Sequence, residues 1–403
     1  MRSFLLSAFA MEAICSTWLL LLPGLAVFNS IAYFISGLCI AVIILFLPQA
    51  QKLRVEAGNK VHGYTRASLL IITGIVICYF SMGIMNDNPL DYRNADMLPV
   101  IKVMDQRFLH FQWRHVYDKI PEIWNGSDPI YLPAMWLPFA PAVILHIDLR
   151  WVTVTCLIFV FAYSFFFLSF KQKSSFIIIS ITAVLLSWLL SQDDTHGFIS
   201  FSEESVVVVY YFLLANALIS ENIFFISIIT CLCILSRYAL AGWVPAFFVF
   251  LLLWKKRKQA VVFAATGFLF FVFGFLLPFG SEAFLRLVHL PEDYIGFSKR
   301  VWADSPEAFT DYLGFAKFFV PGKIHKLHQV LITLSFIAPS AFIFACYSLR
   351  KKIKLSNISL ACLKLTVVIF YNFMIVPYLY LFFTSTFMSL LIVVHFTQKE
   401  KQP

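Results

Sequence analysis

Long apolar runs separated by short polar stretches fill most of the chain. Their lengths match the ~17 to 25 residues that a helix needs to cross the hydrocarbon core of a bilayer. The runs lie at 4–22, 25–48, 69–85, 131–148, 151–170, 175–192, 204–220, 222–236, 239–254, 260–279, 329–349, 358–376 and 378–397. With 60% hydrophobic and only 13% charged residues, the chain has too little polar surface to fold as a water-soluble globule. The pattern therefore predicts an all-α, polytopic membrane bundle.

Clusters of lysine and arginine between the runs set the orientation, because cytoplasmic loops are enriched in these residues. The clusters are "QKLRVEAGNKVHGYTR" (51–66), "KQK" (171–173), "KKRK" (255–258), "RKKIK" (350–354) and "QKEK" (398–401). Both termini are then cytoplasmic, and the net charge of +9 is largely this topology signal. The charge calls for no nucleic-acid partner.

One apolar run conflicts with this orientation. Only one of 131–148 and 151–170 can cross fully if "KQK" is to be cytoplasmic, and the first of these is interrupted by Pro133, Pro138 and Pro141. Proline removes a backbone donor and breaks a helix, and in a membrane this is tolerated only beside protein or a cavity. We therefore expect 131–148 to be broken, re-entrant or short, and the bundle to have 11–13 transmembrane helices.

Two long hydrophilic stretches, 86–130 and 281–328, fall on the outer face. In the first, apolar residues recur at helical spacing over 97–111 and again over 113–124, with charged residues on the opposite faces. The pattern predicts two amphipathic interfacial helices that lie flat in the membrane surface. The alternative is a cap that only packs on the bundle.

Carboxylates are concentrated where the chain leaves the membrane, in "NPLDYRNADML" (88–98). Asp91 and Asp96 are the candidate catalytic bases, because a base acting on a lipid-linked substrate must lie at the membrane edge. Each also has a structural alternative. Asp91 could pair with Arg93, and Asp96 could cap the helix that follows it.

A second acidic segment, "SQDDTHGFISFSEES" (191–205), contains His196, Glu203 and Glu204. Its spacing matches no defined metal loop, so no metal or other cofactor is predicted. Arg237 lies in a short connection between two apolar runs, where an ionisable residue is costly and points to function. It could hold a phosphate or form a structural salt bridge.

Several of these pieces resemble the GT-C glycosyltransferases, multi-span enzymes that use polyprenyl- or dolichyl-phosphate-linked sugars. The matching pieces are "LDYRNAD" (90–96), the helices over 97–124, "DPIYLPAMWLPFAP" (128–141), "SFSEES" (200–205) and "SRYALAGWVP" (236–245). The resemblance covers roughly residues 69 to 258. It divides the chain into two N-terminal spans with a cytoplasmic loop (1–68), a GT-C-like core (69–258) and C-terminal spans (259–403).

The resemblance implies a glycosyltransferase that moves a sugar from a polyprenyl-phosphate-linked donor to a lipid- or glycan-bound hydroxyl on the outer face. Its partners would be the donor, the acceptor and membrane lipids, and its place a bacterial inner membrane. The alternative is a polyprenyl-linked glycan flippase or polymerase, or another multi-span transporter. Besides the two catalytic candidates, the predicted substrate-binding residues are Arg93, Arg107, Tyr131, His196, Glu203, Arg237, Lys299 and Arg300.

Overall fold

A computed structural model describes residues 1–48, 60–93, 95–124, 126–168, 173–192, 197–304, 306–319, 321–349 and 353–397. Over these residues the protein is all-α, and its one β-type pairing is an isolated bridge between Ile120 and Ser127. The helices are α1 (Arg2–Cys15), α2 (Ala26–Phe46), α3 (Lys60–Asp87), α4 (Met97–Leu109), α5 (Pro133–Trp136), α6 (Ala140–Ile144), α7 (Arg150–Phe166), α8 (Lys173–Ser191), α9 (Glu204–Ser220), α10 (Ile223–Ile234), α11 (Trp243–Leu253), α12 (Arg257–Phe271), α13 (Leu277–Asp304), α14 (Glu307–Thr310), α15 (Ile324–Ser348), α16 (Leu355–Asn372) and α17 (Leu379–Thr397).

Seven helices in the described part of the chain are long and apolar enough to cross a membrane. They are Ala26–Phe46, Tyr64–Asp87, Lys173–Ser191, Arg257–Leu285, Ile324–Ser348, Leu355–Asn372 and Leu379–Thr397. Five shorter apolar helices of 10 to 17 residues lie in the same part of the chain, at Pro133–Ile144, Arg150–Phe166, Glu204–Ser220, Ile223–Ile234 and Tyr238–Leu253. The protein is thus a multi-pass integral membrane protein, and the prediction of 11–13 spans exceeds the seven long helices.

The centre of the bundle is formed by the last two helices. The whole apolar window of α17 is buried inside the protein, and so is 83% of the window of α16. The N-terminal pair packs directly on them, α2 against α16 and α1 against α17. The first and last thirds of the chain therefore share one core.

Two arginines fix the relative direction of α3 and α7. At one end, Arg150 donates to the backbone oxygens of Met85 (3.0 Å) and Asn88. At the other end, Arg66 donates to the backbone oxygen of Leu168 (3.1 Å). The two helices are therefore antiparallel, and the chain that joins them begins and ends at the same side of the bundle.

The segment that joins them is short and broken, as its prolines predict. Helices α5 and α6 are separated by a 3-10 turn at Leu137–Phe139. Together 133–144 span only ~18 Å at 1.5 Å per residue, against a hydrocarbon core of ~30 Å. This resolves the conflict with the basic clusters, because α7 alone returns the chain to the "KQK" side.

A labelling experiment tests this topology. Cysteine placed at Glu122 and cysteine placed at His146 should react with a membrane-impermeant maleimide from the same, outer side, whereas cysteine at Lys256 should react only after the membrane is opened. The reason is that residues 88–149 do not cross. Opposite labelling of the first two positions would show that 131–148 crosses after all.

The second interfacial helix predicted over 113–124 is wrong. Only a 3-10 turn at Trp113–His115 forms, followed by turns. The guanidinium of Arg107 binds the backbone oxygens of His115, Val116, Asp118 and Lys119, which a helix would need for its own hydrogen bonds. The first outer stretch therefore carries one helix, α4, and a loop folded around Arg107.

The second outer stretch contains a long helix that the sequence analysis does not predict. Helix α13 kinks at Gly280, where φ is +84°, a region that glycine adopts without strain. Its second half packs Ile295 and Trp302 on the 373–378 connection, and the indole of Trp302 donates to the backbone oxygen of Ile375 (3.3 Å). The helix thereby covers one end of the central pair α16 and α17.

Candidate functional site

Glu204, at the first turn of α9, is fixed by three side chains, one each from α16, α17 and the connection after α10. One of its oxygens accepts hydrogen bonds from Thr384 (2.6 Å) and Tyr371 (2.9 Å), and the other accepts from Arg237 at 2.6 Å. The residue is completely buried. Such a saturated carboxylate is best suited to holding its partners in place, above all Arg237.

Arg237 and Glu203 both keep one polar atom free. The guanidinium reaches Glu203 more loosely, at 3.5 Å, and its Nε has no hydrogen-bond partner among the described residues. The same holds for Oε2 of Glu203, a residue that is only 3% exposed. Buried polar atoms are nearly always hydrogen-bonded in folded proteins. An unpaired donor and an unpaired acceptor side by side are therefore suited to a polar ligand.

Asp96 approaches the same place from the first outer stretch. It occupies the N-cap position of α4, yet its side chain makes no capping hydrogen bond. Burial raises the pKa of its carboxyl. Burial also raises the pKa of Glu203; Arg237 opposes this rise and the charge of Asp96 adds to it. The two carboxyls therefore lie close enough to interact.

Tyrosines surround these charges. Burial raises the pKa of the Tyr131 hydroxyl, and the charges of Glu203 and Asp96 add to the effect. Tyr378 has its pKa raised to about 12 by burial and then by the same two carboxyls. Its ring stacks on that of Tyr380 at 5.5 Å, and the Tyr380 hydroxyl reaches Met97 Sδ at 3.0 Å. Aromatic faces beside carboxylates offer both stacking and hydrogen bonding.

We call these charged and tyrosine residues, with Thr384, the carboxylate–arginine site. Its members are Asp96, Tyr131, Glu203, Glu204, Arg237, Tyr371, Tyr378, Tyr380 and Thr384. It lies at the end of the bundle where α9 and α17 begin and α16 ends. The side chain of Arg237 is 12% exposed, so the site is nearly closed. Charges interact more strongly in such an enclosed place than they do in water.

Other predicted site residues lie apart from it. Asp91 accepts a hydrogen bond from the backbone N–H of Arg93 at 3.0 Å, and the guanidinium of Arg93 lies over the Tyr92 ring. Arg107 is engaged with the loop that follows α4. Lys299 and Arg300 are exposed on α13, with Lys299 next to His325 at 3.2 Å. His196 lies outside the described residues.

Sequence reasoning did not find Tyr371, Thr384, Tyr378 and Tyr380. Tyr371 and Thr384 are 167 and 180 positions away from Glu204, inside or beside apolar runs. A polar residue in such a run gives a weak signal, because many serines and threonines there simply bond to their own helix. No metal-binding group of three or more His, Cys, Asp or Glu side chains occurs in the part of the chain that the structure describes.

Comparison with known proteins adds no assignment: no protein-family model matches the chain, and neither a curated protein nor a solved structure does. The geometry of the carboxylate–arginine site is therefore the basis for a proposed function.

A further buried carboxyl lies on α4. Asp105 is fully buried, both of its oxygens lack a partner among the described residues, and burial raises its pKa to about 8. The unfolded chain has an ordinary aspartate pKa near ~3.9. Between these two values the folded protein binds the extra proton, so stability falls as the pH rises from about 4 to about 8.

Asp105→Asn should remove this pH dependence. The variant should gain on the order of a few kcal/mol over the parent at pH 8 and much less at pH 4, because above pH 4 the parent must take up a proton to fold and asparagine need not. Thermal unfolding in detergent across this pH range measures the difference. The control is Asp118→Asn, which changes an exposed aspartate that pairs with His115 in the loop after α4. Equal gains at both pH values would contradict the assignment.

Proposed function

We propose that the protein is a membrane glycosyltransferase that uses a polyprenyl-phosphate-linked sugar and a lipid- or glycan-bound acceptor hydroxyl on the outer face. The observation that supports this most is the free oxygen of Glu203 and the interacting Asp96 carboxyl beside the free Nε of Arg237. Transfer of a sugar from a lipid phosphate needs a base and a phosphate-binding cation next to each other. GT-C-like architecture and a bacterial inner-membrane location belong to the same proposal.

The proposed step is a single displacement at the anomeric carbon. Asp96 takes the proton of the acceptor hydroxyl as the acceptor oxygen forms its bond to that carbon. The bond from the carbon to the phosphate oxygen breaks, and the polyprenyl phosphate leaves with the electron pair. Arg237, held by Glu204, stabilises the charge on the departing phosphate. No metal or redox partner is required to balance the step.

Two residues of the site have positioning roles in this proposal. Glu203, whose Oε2 is free, is suited to accept a hydrogen bond from a sugar hydroxyl. Tyr131 is suited to pack on the sugar, because its ring lies beside both carboxyls. Asp91 stays as the second candidate base from the sequence, and Arg93, Arg107, Lys299 and Arg300 stay as candidate contacts for the charged part of a substrate.

The transporter alternative has one feature in its favour, a charged pair within the bundle. Glu12 and Lys364 are both fully buried and lie 2.6 Å apart. Ser385 and Ser389 complete their hydrogen bonds, with Ser389 donating to the second oxygen of Glu12 at 2.6 Å. A pair whose polar groups are all satisfied is better suited to holding helices together than to binding and releasing an ion.

The direct test is transfer of labelled sugar by purified protein in liposomes. Protein supplied with a polyprenyl-phosphate sugar and a membrane lipid extract as acceptor source should release polyprenyl phosphate and label the acceptor. Movement of the intact donor across the bilayer without cleavage of its sugar–phosphate bond would instead support the transporter alternative.

Arg237→Lys should raise the KM for the donor by about ten- to a hundredfold with a smaller effect on folding. Lysine keeps the charge but loses the planar fork that binds Glu204 and a phosphate at once. The measurement is donor dependence of the initial rate, with thermal unfolding in parallel. Arg257→Lys, an exposed arginine at the start of α12, is the matched control and should behave as the parent. An unchanged KM in Arg237→Lys would exclude a phosphate-binding role.

A further inference from the structure

A pocket lies on the face of α4 that points away from the core. Its volume is about 590 Å³, within the range of small-molecule and headgroup sites. One wall is the exposed face of α4, with Lys102, Gln106 and His110 at helical spacing. The opposite wall is formed by the end of α6 and the residues after it, over 142–149. The pocket is separate from the carboxylate–arginine site, which α4 contacts through Asp96 and Met97.

The polar side chains of this pocket are available to a ligand. Those of Lys102, Gln106, His110 and His146 are exposed, and the charge of Lys102 lies near Asp148. The carboxylate among the residues that line the pocket, Asp148, already accepts four hydrogen bonds from Arg150, three from the guanidinium and one from the backbone N–H, at 2.6 to 3.1 Å. Although burial would raise the pKa of Asp148, these bonds lower it below its usual value, so its charge is retained and balanced.

The rim of the pocket is apolar and exposed. Ile144 and Ile147 line the pocket and are 58% and 45% exposed, and Leu145 between them is 66% exposed. They adjoin Arg150, which binds the last residues of α3. The pocket is therefore level with the end of a membrane-crossing helix, at the depth of lipid headgroups.

From the exposed cationic and amide donors, the apolar rim and the membrane-edge position, we infer that this pocket binds the anionic phosphate headgroup of a membrane lipid. The phosphate accepts hydrogen bonds from Lys102, Gln106 and the two imidazoles. The acyl chains lie along Ile144, Leu145 and Ile147. A soluble phosphate shares the headgroup chemistry but makes no use of the apolar rim. The inference does not rest on the proposed sugar transfer.

Calorimetric titration of the full-length protein in a neutral detergent tests this binding. Three probes are compared: short-chain phosphatidylglycerol, short-chain phosphatidylcholine and inorganic phosphate. Phosphatidylglycerol should bind about tenfold or more tightly than either of the others. Lys102→Gln/His110→Gln should lose about tenfold or more of that affinity, because it removes two charge-assisted or polar contacts to the phosphate. Lys326→Gln, an exposed lysine elsewhere on the outer side, is the matched control and should bind as the parent does.

Other results would overturn the inference. Equal affinity for the glycerol and choline lipids, or an unchanged affinity in the double variant, would exclude recognition of an anionic headgroup here. Equal affinity for inorganic phosphate would assign the pocket to a soluble anion and exclude the lipid. Because no sugar donor is present, failure of this test is distinguishable from failure of the proposed transfer.

Discussion

Asp96→Asn is expected to lower the rate of sugar transfer by ~10² to 10⁴, the usual cost of losing a positioned general base. Asp91→Asn should lose far less. Its role in the structure is to accept the backbone N–H of Arg93, and an asparagine oxygen accepts this bond equally well. The two isosteric substitutions at the edge of the first outer stretch thus form a matched pair, measured by initial rates at saturating donor.

The pH dependence of the same reaction gives a second readout. Because burial raises the pKa of Asp96, the parent should lose activity on acidification at a pH above the ordinary aspartate value of ~3.9. The base must be ionised to act, so activity rises with pH through this pKa. This acid limb should be absent in the residual activity of Asp96→Asn. Equal rates for Asp96→Asn and the parent would exclude Asp96 as the base.

Lys364→Met is expected to destabilise the protein by about 3–5 kcal/mol, because it leaves the carboxylate of Glu12 buried without its counter-charge. The pair joins α1 to α16, and Ser385 and Ser389 bring in α17. Its loss therefore affects the contact between the N-terminal helix and the centre of the bundle. Unfolding in mixed micelles measures the change.

A double variant separates the contribution of the ion pair to the free energy of unfolding from the cost of leaving one buried charge unpaired. Glu12→Leu/Lys364→Met should recover most of the stability, since an apolar replacement of a buried pair is often neutral or better. Lys326→Met, at an exposed position of α15, is the control for the loss of one lysine. If Lys364→Met unfolded as the parent does, the pair would contribute nothing to the fold.

Parts of the fold follow directly from the chain because they depend on local chemistry. The prolines of 131–148 have no backbone N–H, so the break in that segment could be predicted without neighbours. Local reasoning failed over 113–124, where the spacing of the apolar residues favours a helix. In the structure the guanidinium of Arg107 binds the backbone carbonyl oxygens that a helix would use. No rule of residue spacing predicts the direction of one arginine side chain.

Of the candidate site, only charged residues and Tyr131 were predictable from the sequence. Asp96, Glu203 and Arg237 are detectable because charged residues are rare next to apolar runs. Glu203 and Glu204 are adjacent in sequence, yet one is saturated with hydrogen bonds and the other keeps a free oxygen. Only the positions of Tyr371 and Thr384, on helices far along the chain, distinguish the two. The sequence does not contain that information in any local pattern.

The arginine contacts between α3 and α7 also constrain how the protein is made. Arg150 contacts Asn88, 62 positions earlier, so the intervening chain must pass to the far side before α7 enters the membrane. During synthesis we therefore expect α3 to reach the lipid before its partner α7. The surface of α3 fits this order of insertion, because only 17% of its apolar window is buried in the folded protein. We therefore expect α3 to be stable in the membrane by itself, and α7 to pack on it later.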